Sequence, residues 1–211
     1  GLEYVIVEAE TGEMGGSGSH QFTIPCDNGE DIIVHTEDGS RAWNIEKAPV
    51  DPPASMTETA EKENQTADQP EPHEIHTPNA GTIEDVCKLI NAKPNQLMKT
   101  LIYTAGQQGD HQQTVAVLLR ADHELNPEKL TQILAGQHIE MATPDIVENV
   151  TGAAVGFAGP IDIARKVDQL LIDNYAAAMP VAITGANKTD YHIKNVVPGR
   201  DFPLNGEKIK I

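Results

Sequence analysis

Apolar residues recur along this chain in two rhythms, and the rhythm changes after the first third. Leu2–Glu8 (LEYVIVE), Gln21–Cys26 (QFTIPC) and Asp31–His35 (DIIVH) are short, β-branched and aromatic-containing, a pattern that predicts strands. Thr11–Ser19 (TGEMGGSGS) is a Gly-rich connection between the first two. No helical pattern accompanies them, so they read as part of an antiparallel sheet whose other strands lie elsewhere. Residues 47–74 then contain no Ile, Leu, Phe, Trp or Tyr and are rich in Pro, Glu, Ala and Thr. Such a stretch cannot bury enough apolar surface to offset its ordering entropy, so it is expected to be an extended linker.

From residue 75 onward the pattern becomes mixed. Thr82 can cap a helix through Ile83–Asn91, with Ile83, Val86, Cys87, Leu89 and Ile90 on one side. Thr100–Thr104 and Thr114–Arg120 (TVAVLLR) read as buried strands. Asn126-Pro127-Glu128 and Thr143-Pro144-Asp145 each start a helix with proline at its first position. Further strands are expected at Ala154–Gly156, Gln169–Asp173, Val181–Thr184 and Tyr191–Asn195. The fold class is therefore mixed α/β, plus a small antiparallel β piece before the linker.

Composition changes this picture in one respect. The formal net charge of −17 argues against a nucleic-acid partner. Residues 1–74, however, hold 17 of the 32 acidic and 3 of the 15 basic side chains, whereas residues 75–211 hold 15 acidic and 12 basic ones. The second part is nearly balanced and can meet a short stretch of nucleic acid locally. No apolar run approaches the ~20 residues that span a bilayer. Cys26 and Cys87 make no disulfide framework. A reduced cytoplasmic protein is the expectation.

Several constellations have a functional and a plainer reading. Gly15-Gly16-Ser17-Gly18-Ser19 lacks the Lys-Ser/Thr ending of a phosphate loop and is better read as a turn. His73-x-x-His76 has no third ligand nearby, so no metal site is expected. Ser19-His20 is no nucleophile pair, because neighbouring strand residues point to opposite faces. Lys99-Thr100, just before Leu101-Ile102-Tyr103, can reach a phosphate, or it can snorkel at the surface. Gly156-Phe157-Ala158-Gly159-Pro160 is a loop whose glycines let a ligand approach backbone, or an ordinary turn. Asp173 and His192 can belong to a site, or cap and pack.

Taken together these residues resemble bacterial-type prolyl-tRNA synthetases. TGEMGGSGSHQF (Thr11–Phe22) is similar to the family's GGSxSHEF stretch. HTPNAGTIEDV (His76–Val86), MKTLIY (Met98–Tyr103), LLRADHELN (Leu118–Asn126), GFAGP (Gly156–Pro160), LLID (Leu170–Asp173), GANKTDYH (Gly185–His192) and NVVPGRDF (Asn195–Phe202) follow in family order. The later motifs resemble the family's editing insertion and the free-standing YbaK-like deacylases, a resemblance that implies a curved mixed sheet with surrounding helices. Gln21 stands where the family usually has Glu. Neither an F-R-x-E-type nor a G-x-G-x-G-x-x-R-type motif occurs, so a fragment that does not form prolyl-adenylate is expected.

The resemblance implies a domain plan: residues 1–46 as a partial catalytic-domain segment, 47–74 as linker, 75–198 as editing insertion, and 199–211 returning to the catalytic sheet. It implies hydrolysis of misacylated tRNA(Pro), with alanyl-tRNA(Pro) first. The alternative is a non-catalytic insertion that positions tRNA or stabilises the synthetase. By the same resemblance, Gly156, Gly159, Pro160, Asp173 and His192 would form the editing site. Lys99 and Thr100 would contact the tRNA 3′ end, and backbone N–H groups of the 156–160 loop would face the ester. His192 would line the amino-acid pocket, and Asp173 would orient that pocket or bind the α-ammonium. No cofactor is implied for editing; ATP and Mg belong to the parent synthetase. The implied partners are the aminoacyl-tRNA 3′ end and the rest of that synthetase, a homodimer, with no membrane.

Overall fold

The computed structural model describes residues 4–9, 19–26, 28–29, 31–45, 47–49, 51–54, 56, 70–107, 112–204 and 207–209. The Gly15–Gly18 turn and most of the expected linker lie outside these residues. The chain divides into two bodies, residues 1–50 with 126–129, and residues 51–125 with 130–211.

The first body is a four-stranded sheet of β1 (Val5–Ala9), β2 (Ser19–Thr23), β3 (Ile33–His35) and β4 (Ala42–Asn44), in the order β2-β1-β4-β3. The β1–β2 and β3–β4 pairs are antiparallel, as expected. The sheet is nevertheless mixed, because β1 meets β4 in parallel at Glu8 and Trp43. Arg41 lies 4.6 Å over the Trp43 ring and 3.3 Å from the Glu8 carboxylate across that junction.

The second body holds two sheets. A three-stranded antiparallel sheet runs β10 (Ala182–Gly185), β11 (Tyr191–Val196), β5 (His73–His76). A five-stranded sheet is ordered β12 (Glu207–Ile209), β9 (Gln169–Asp173), β7 (Gln113–Arg120), β6 (Met98–Ala105), β8 (Ile139–Met141). Its β12–β9–β7 pairings are parallel and its β7–β6–β8 pairings antiparallel. Helices α1 (Ile83–Ile90), α3 (Pro144–Thr151) and α4 (Asn174–Ala177) belong to this body, and α2 (Pro127–Ile133) belongs to it from Leu130 onward.

The central strands show why this sheet forms. Val115 to Leu119 on β7 are all fully buried. Alternate residues serve different cores: Ala116 and Leu118 join Ile172 and Met179, whereas Val115, Val117 and Leu119 join Leu130 and Leu171. Period-two packing on both faces requires the continuous apolar run the sequence supplies. Each such Val or Leu contributes ~1.5–3 kcal/mol of burial. Helix α1 starts where expected: the Thr82 hydroxyl accepts from Asp85 N–H at 3.2 Å and donates to the Asp85 carboxylate at 2.7 Å. It stops at Asn91, whose φ of 53° is left-handed.

Four expectations are corrected. His73 and Glu74, counted as linker by composition, belong to β5, an edge strand held by β11. Along it His73 and His76 are three residues apart and face opposite ways. Met56, also counted as linker, packs against the Ile172 core. Ala154–Gly156 is a turn rather than a strand, because Phe157 N–H closes onto Ala154 O at 3.2 Å and Gly156 takes φ +97°. The chain after residue 198 places Glu207–Ile209 in a ladder with β9 of this second body.

Candidate active site

The two sheets of the second body approach where Leu97, just before β6, forms a parallel bridge to Ile183 of β10. Beside this bridge lies a cavity of about 260 Å³. Lys99 and Thr100 of β6, Gly156 and Ala158 of the 156–160 loop, Thr184 of β10 and His192 of β11 all line it. Four of the seven residues expected in the site therefore share one cavity: Lys99, Thr100, Gly156 and His192. A larger hollow of about 570 Å³ in the first body, beside Cys26 and His35, holds none of them.

His192 is 5% exposed. Its Nδ1 lies 2.7 Å from the buried Thr77 hydroxyl, and its ring is 5.5 Å from that of Phe157. Burial pushes the imidazole below its ordinary pKa of 6.5, so it is neutral at physiological pH. Thr77 fixes the ring plane, and among the described residues the Nε2 edge has no protein partner. Lys99, with a side chain 15% exposed, is the cation of the cavity wall, 3.5 Å from the Glu124 carboxylate. The buried hydroxyls of Thr100 and Thr184 have no hydrogen-bond partner among the described residues.

The 156–160 loop is shaped by close backbone approach. A Cβ on Gly156 would come within 2.7 Å of Gly81 Cα, and one on Gly159 within 2.7 Å of the Gly185 carbonyl carbon. Only glycine fits either place. Asn187, itself at φ 53°, clamps the loop from the β10–β11 turn. Its Oδ1 accepts from Gly159 N–H at 2.8 Å, and its Nδ2 donates to Gly159 O at 3.3 Å and Ile161 O at 2.9 Å. Gly159 and Pro160 thus do not line the cavity. The Gly159 amide is engaged and Pro160 has no N–H, so both hold the loop's shape. Phe157 N–H is engaged in the turn, whereas Gly156 and Ala158 N–H have no acceptor among the described residues.

Asp173 is not in this cavity. It is fully buried at the end of β9 and caps α4, accepting from Tyr175 N–H at 3.1 Å and Ala176 N–H at 3.3 Å. The signal for this was present: an acid between a strand and Asn-Tyr-Ala-Ala has the form of an N-cap. Thr77, Asn187 and Glu124 are not singled out in the sequence, because their partners are remote along the chain, and Thr184 is not, because only the fold brings its hydroxyl to the cavity.

The Aminoacyl-tRNA editing domain family matches residues 77–202, well over half the chain. The chain belongs to the aminoacyl-tRNA editing family. The editing domain supplies the whole cavity, from Gly81 to His192. Among its relatives are the proline--tRNA ligase of Syntrophus aciditrophicus (strain SB), 42% identical over 205 residues, and that of Thermoanaerobacter sp. (strain X514), 41% identical over 204. These alignments cover 97% and 96% of this chain and 33% of each relative, so the chain spans about a third of the length of the curated relatives it matches. A solved structure described as a proposed trans-editing enzyme for prolyl tRNA synthetase superposes with a TM-score of 0.52 at 17% identity, covering 75% of this chain and 98% of that one. At that identity the likeness is one of fold.

Proposed function

We propose that this chain is the editing part of a bacterial-type prolyl-tRNA synthetase and hydrolyses the ester of misacylated tRNA(Pro), with alanine as the preferred acyl group. The observation that carries the reading is the cavity itself, where a cation, a buried neutral imidazole and two backbone N–H groups without acceptors among the described residues meet. Each has a place in ester hydrolysis. Lys99 takes a phosphate of the tRNA 3′ end through a charge-assisted hydrogen bond. Gly156 and Ala158 N–H receive the carbonyl oxygen as it becomes an oxyanion, a contact whose loss typically costs about 10²–10³ in rate. His192, held by Thr77, walls the acyl pocket and limits its size.

No serine, cysteine or carboxylate lines the cavity among the described residues, and the Thr100 and Thr184 hydroxyls there have no hydrogen-bond partner among them to activate either as a nucleophile. Water is therefore the nucleophile, and the ribose hydroxyl beside the ester is the nearest proton acceptor the substrate brings. The logic of such a site is a second sieve. A proline pocket cannot exclude the smaller alanine by size, and one or two methylenes discriminate by only ~1–3 kcal/mol. Editing in this form uses no cofactor; ATP and Mg serve the aminoacylating reaction of such a synthetase.

Single-turnover deacylation of Ala-, Cys- and Pro-tRNA(Pro) by this chain tests the reading. Alanyl ester should be cleaved and prolyl ester spared. Absence of any cleavage would instead favour a non-catalytic insertion that positions tRNA.

A further inference from the structure

Between β7 and α2 the chain makes a turn that is anchored far more firmly than its length requires. Ala121 N–H donates to Leu97 O at 2.8 Å, two residues before Lys99, and His123 N–H donates to Arg120 O at 3.0 Å. The Arg120 guanidinium forks onto Asp122 at 2.6 and 3.0 Å and donates to His123 Nε2 at 2.8 Å. Its plane lies 4.8 Å over the Tyr175 ring, against which the His123 ring also packs at 4.7 Å. Arginine has no acceptor, so His123 Nε2 accepts and Nδ1 carries the proton. That Nδ1–H faces the Asp173 carboxylate at 3.8 Å. Partial burial alone would raise the Asp122 carboxyl, but Arg120 outweighs it and holds the group below the usual carboxylate range.

Glu124 is the next residue. It is 94% exposed, yet its carboxylate is 3.5 Å from Lys99 Nζ, and among the described residues it has no other polar partner. Burial first, and the Glu124 charge second, push the Tyr103 phenol up. The Glu124 contact with Lys99 Nζ holds the carboxylate beside β6. A pair this exposed on one side adds little to stability. Its effect is on direction. Lysine carries three N–H donors on a stem of four rotatable bonds. One donor turned to Glu124 fixes the ammonium and leaves two for an anion at the cavity.

Granted the phosphate contact proposed above for Lys99, we propose that Glu124 is the positioning residue for that contact, on a turn anchored to the start of β6 through Ala121 N–H and Leu97 O. The carboxylate does not compete with the phosphate, because it engages one face of the ammonium and leaves the others.

The test compares the full chain with its E124Q, E124D, K99A and E124Q/K99A variants. Single-turnover deacylation of alanyl-tRNA(Pro) is read beside anisotropy binding of an RNA tetranucleotide ending in CCA. E124Q should lower catalytic efficiency about tenfold, chiefly through KM, the lower end for a hydrogen bond to a charged group. E124D, one methylene short, should behave like E124Q. The melting temperature should not move, and the double variant should be no worse than K99A. Faster hydrolysis or tighter RNA binding by E124Q would mean that Glu124 competes with the phosphate and would overturn the proposal. Multiplying losses in the double variant would overturn it too. The RNA arm separates the two readings: if no ester is cleaved, the hydrolytic reading fails, while a tenfold weaker RNA affinity in E124Q that vanishes in the K99A background still supports the positioning role.

Discussion

The two bodies of this chain treat their apolar side chains in opposite ways. In the β1–β4 sheet Tyr4, Phe22, Ile24 and Ile32 are each at least half exposed, and few side chains beyond Val7, Ala42 and Trp43 are buried. In the second body β7 alone contributes five consecutive residues with no exposure. A small sheet with a bare apolar face is marginal by itself, whereas two stacked cores on a five-stranded sheet are self-sufficient. Stability and ester chemistry should therefore both reside in the second body.

The largest contrast should come from two cations. Lys99→Ala is expected to lower deacylation about 100-fold, the order of a charge-assisted contact removed from the site, with unchanged melting. Arg41→Ala, which removes the cation above Trp43, should leave deacylation as it is. Equal losses from both would erase the distinction between the bodies.

Two glycines sharpen it next. Gly159→Ala must push against Gly185 backbone and should destabilise by ~3 kcal/mol in urea titration, the upper range for overpacking. Gly39, at φ +67° with nothing within 4 Å of a built Cβ, should lose only ~1 kcal/mol on the same change. Asp173→Ala should cost ~2 kcal/mol, the full value of a buried cap. Its deacylation loss should shrink when assayed well below the melting transition, unlike that of Lys99→Ala.

A smaller effect follows pH. Burial lowers the His192 pKa, so the unfolded chain binds a proton first as pH falls. Stability should be intact above pH 6.5 and decline below it, down to the folded-state pKa. His192→Gln should flatten that decline in a melting series from pH 7.5 to about 5. Smallest of all, deleting residues 1–50 should change the melting of the second body by no more than about 1 kcal/mol, since a body with its own core folds alone. A molten remainder by near-ultraviolet dichroism would show that the comparison had been drawn in the wrong place.

What the sequence made legible was whatever is decided locally. The Val115–Leu119 run, the Thr82 cap and the Pro127 and Pro144 helix starts each carry their reason within a few residues. β5 escaped notice because three of its four residues are polar, and its pairing depends on β11 more than a hundred positions later. Ala154–Gly156 looked like a strand and became a turn because the loop must fit against Gly81. Lys99, Gly156 and His192 stood out as types, but the Thr77–His192 contact spans 115 positions and no local pattern announces it. Asp173 has both readings in the sequence, site residue or cap, and the structure shows the cap, which is decided by the Tyr175 and Ala176 N–H groups just after it.

The Asn187 clamp has a kinetic consequence. Its carboxamide makes the bonds a neighbouring strand would make, one accepted and two donated, to a segment about 28 positions away. The cavity wall thus cannot breathe one contact at a time, because the Gly159 amide is released only when the 187–190 turn lets go. Deuterium uptake at Gly159 should therefore count openings of the pocket rather than local fraying. A bound acyl group should slow that uptake by the factor by which it is bound, giving a clock for occupancy that requires no turnover at all.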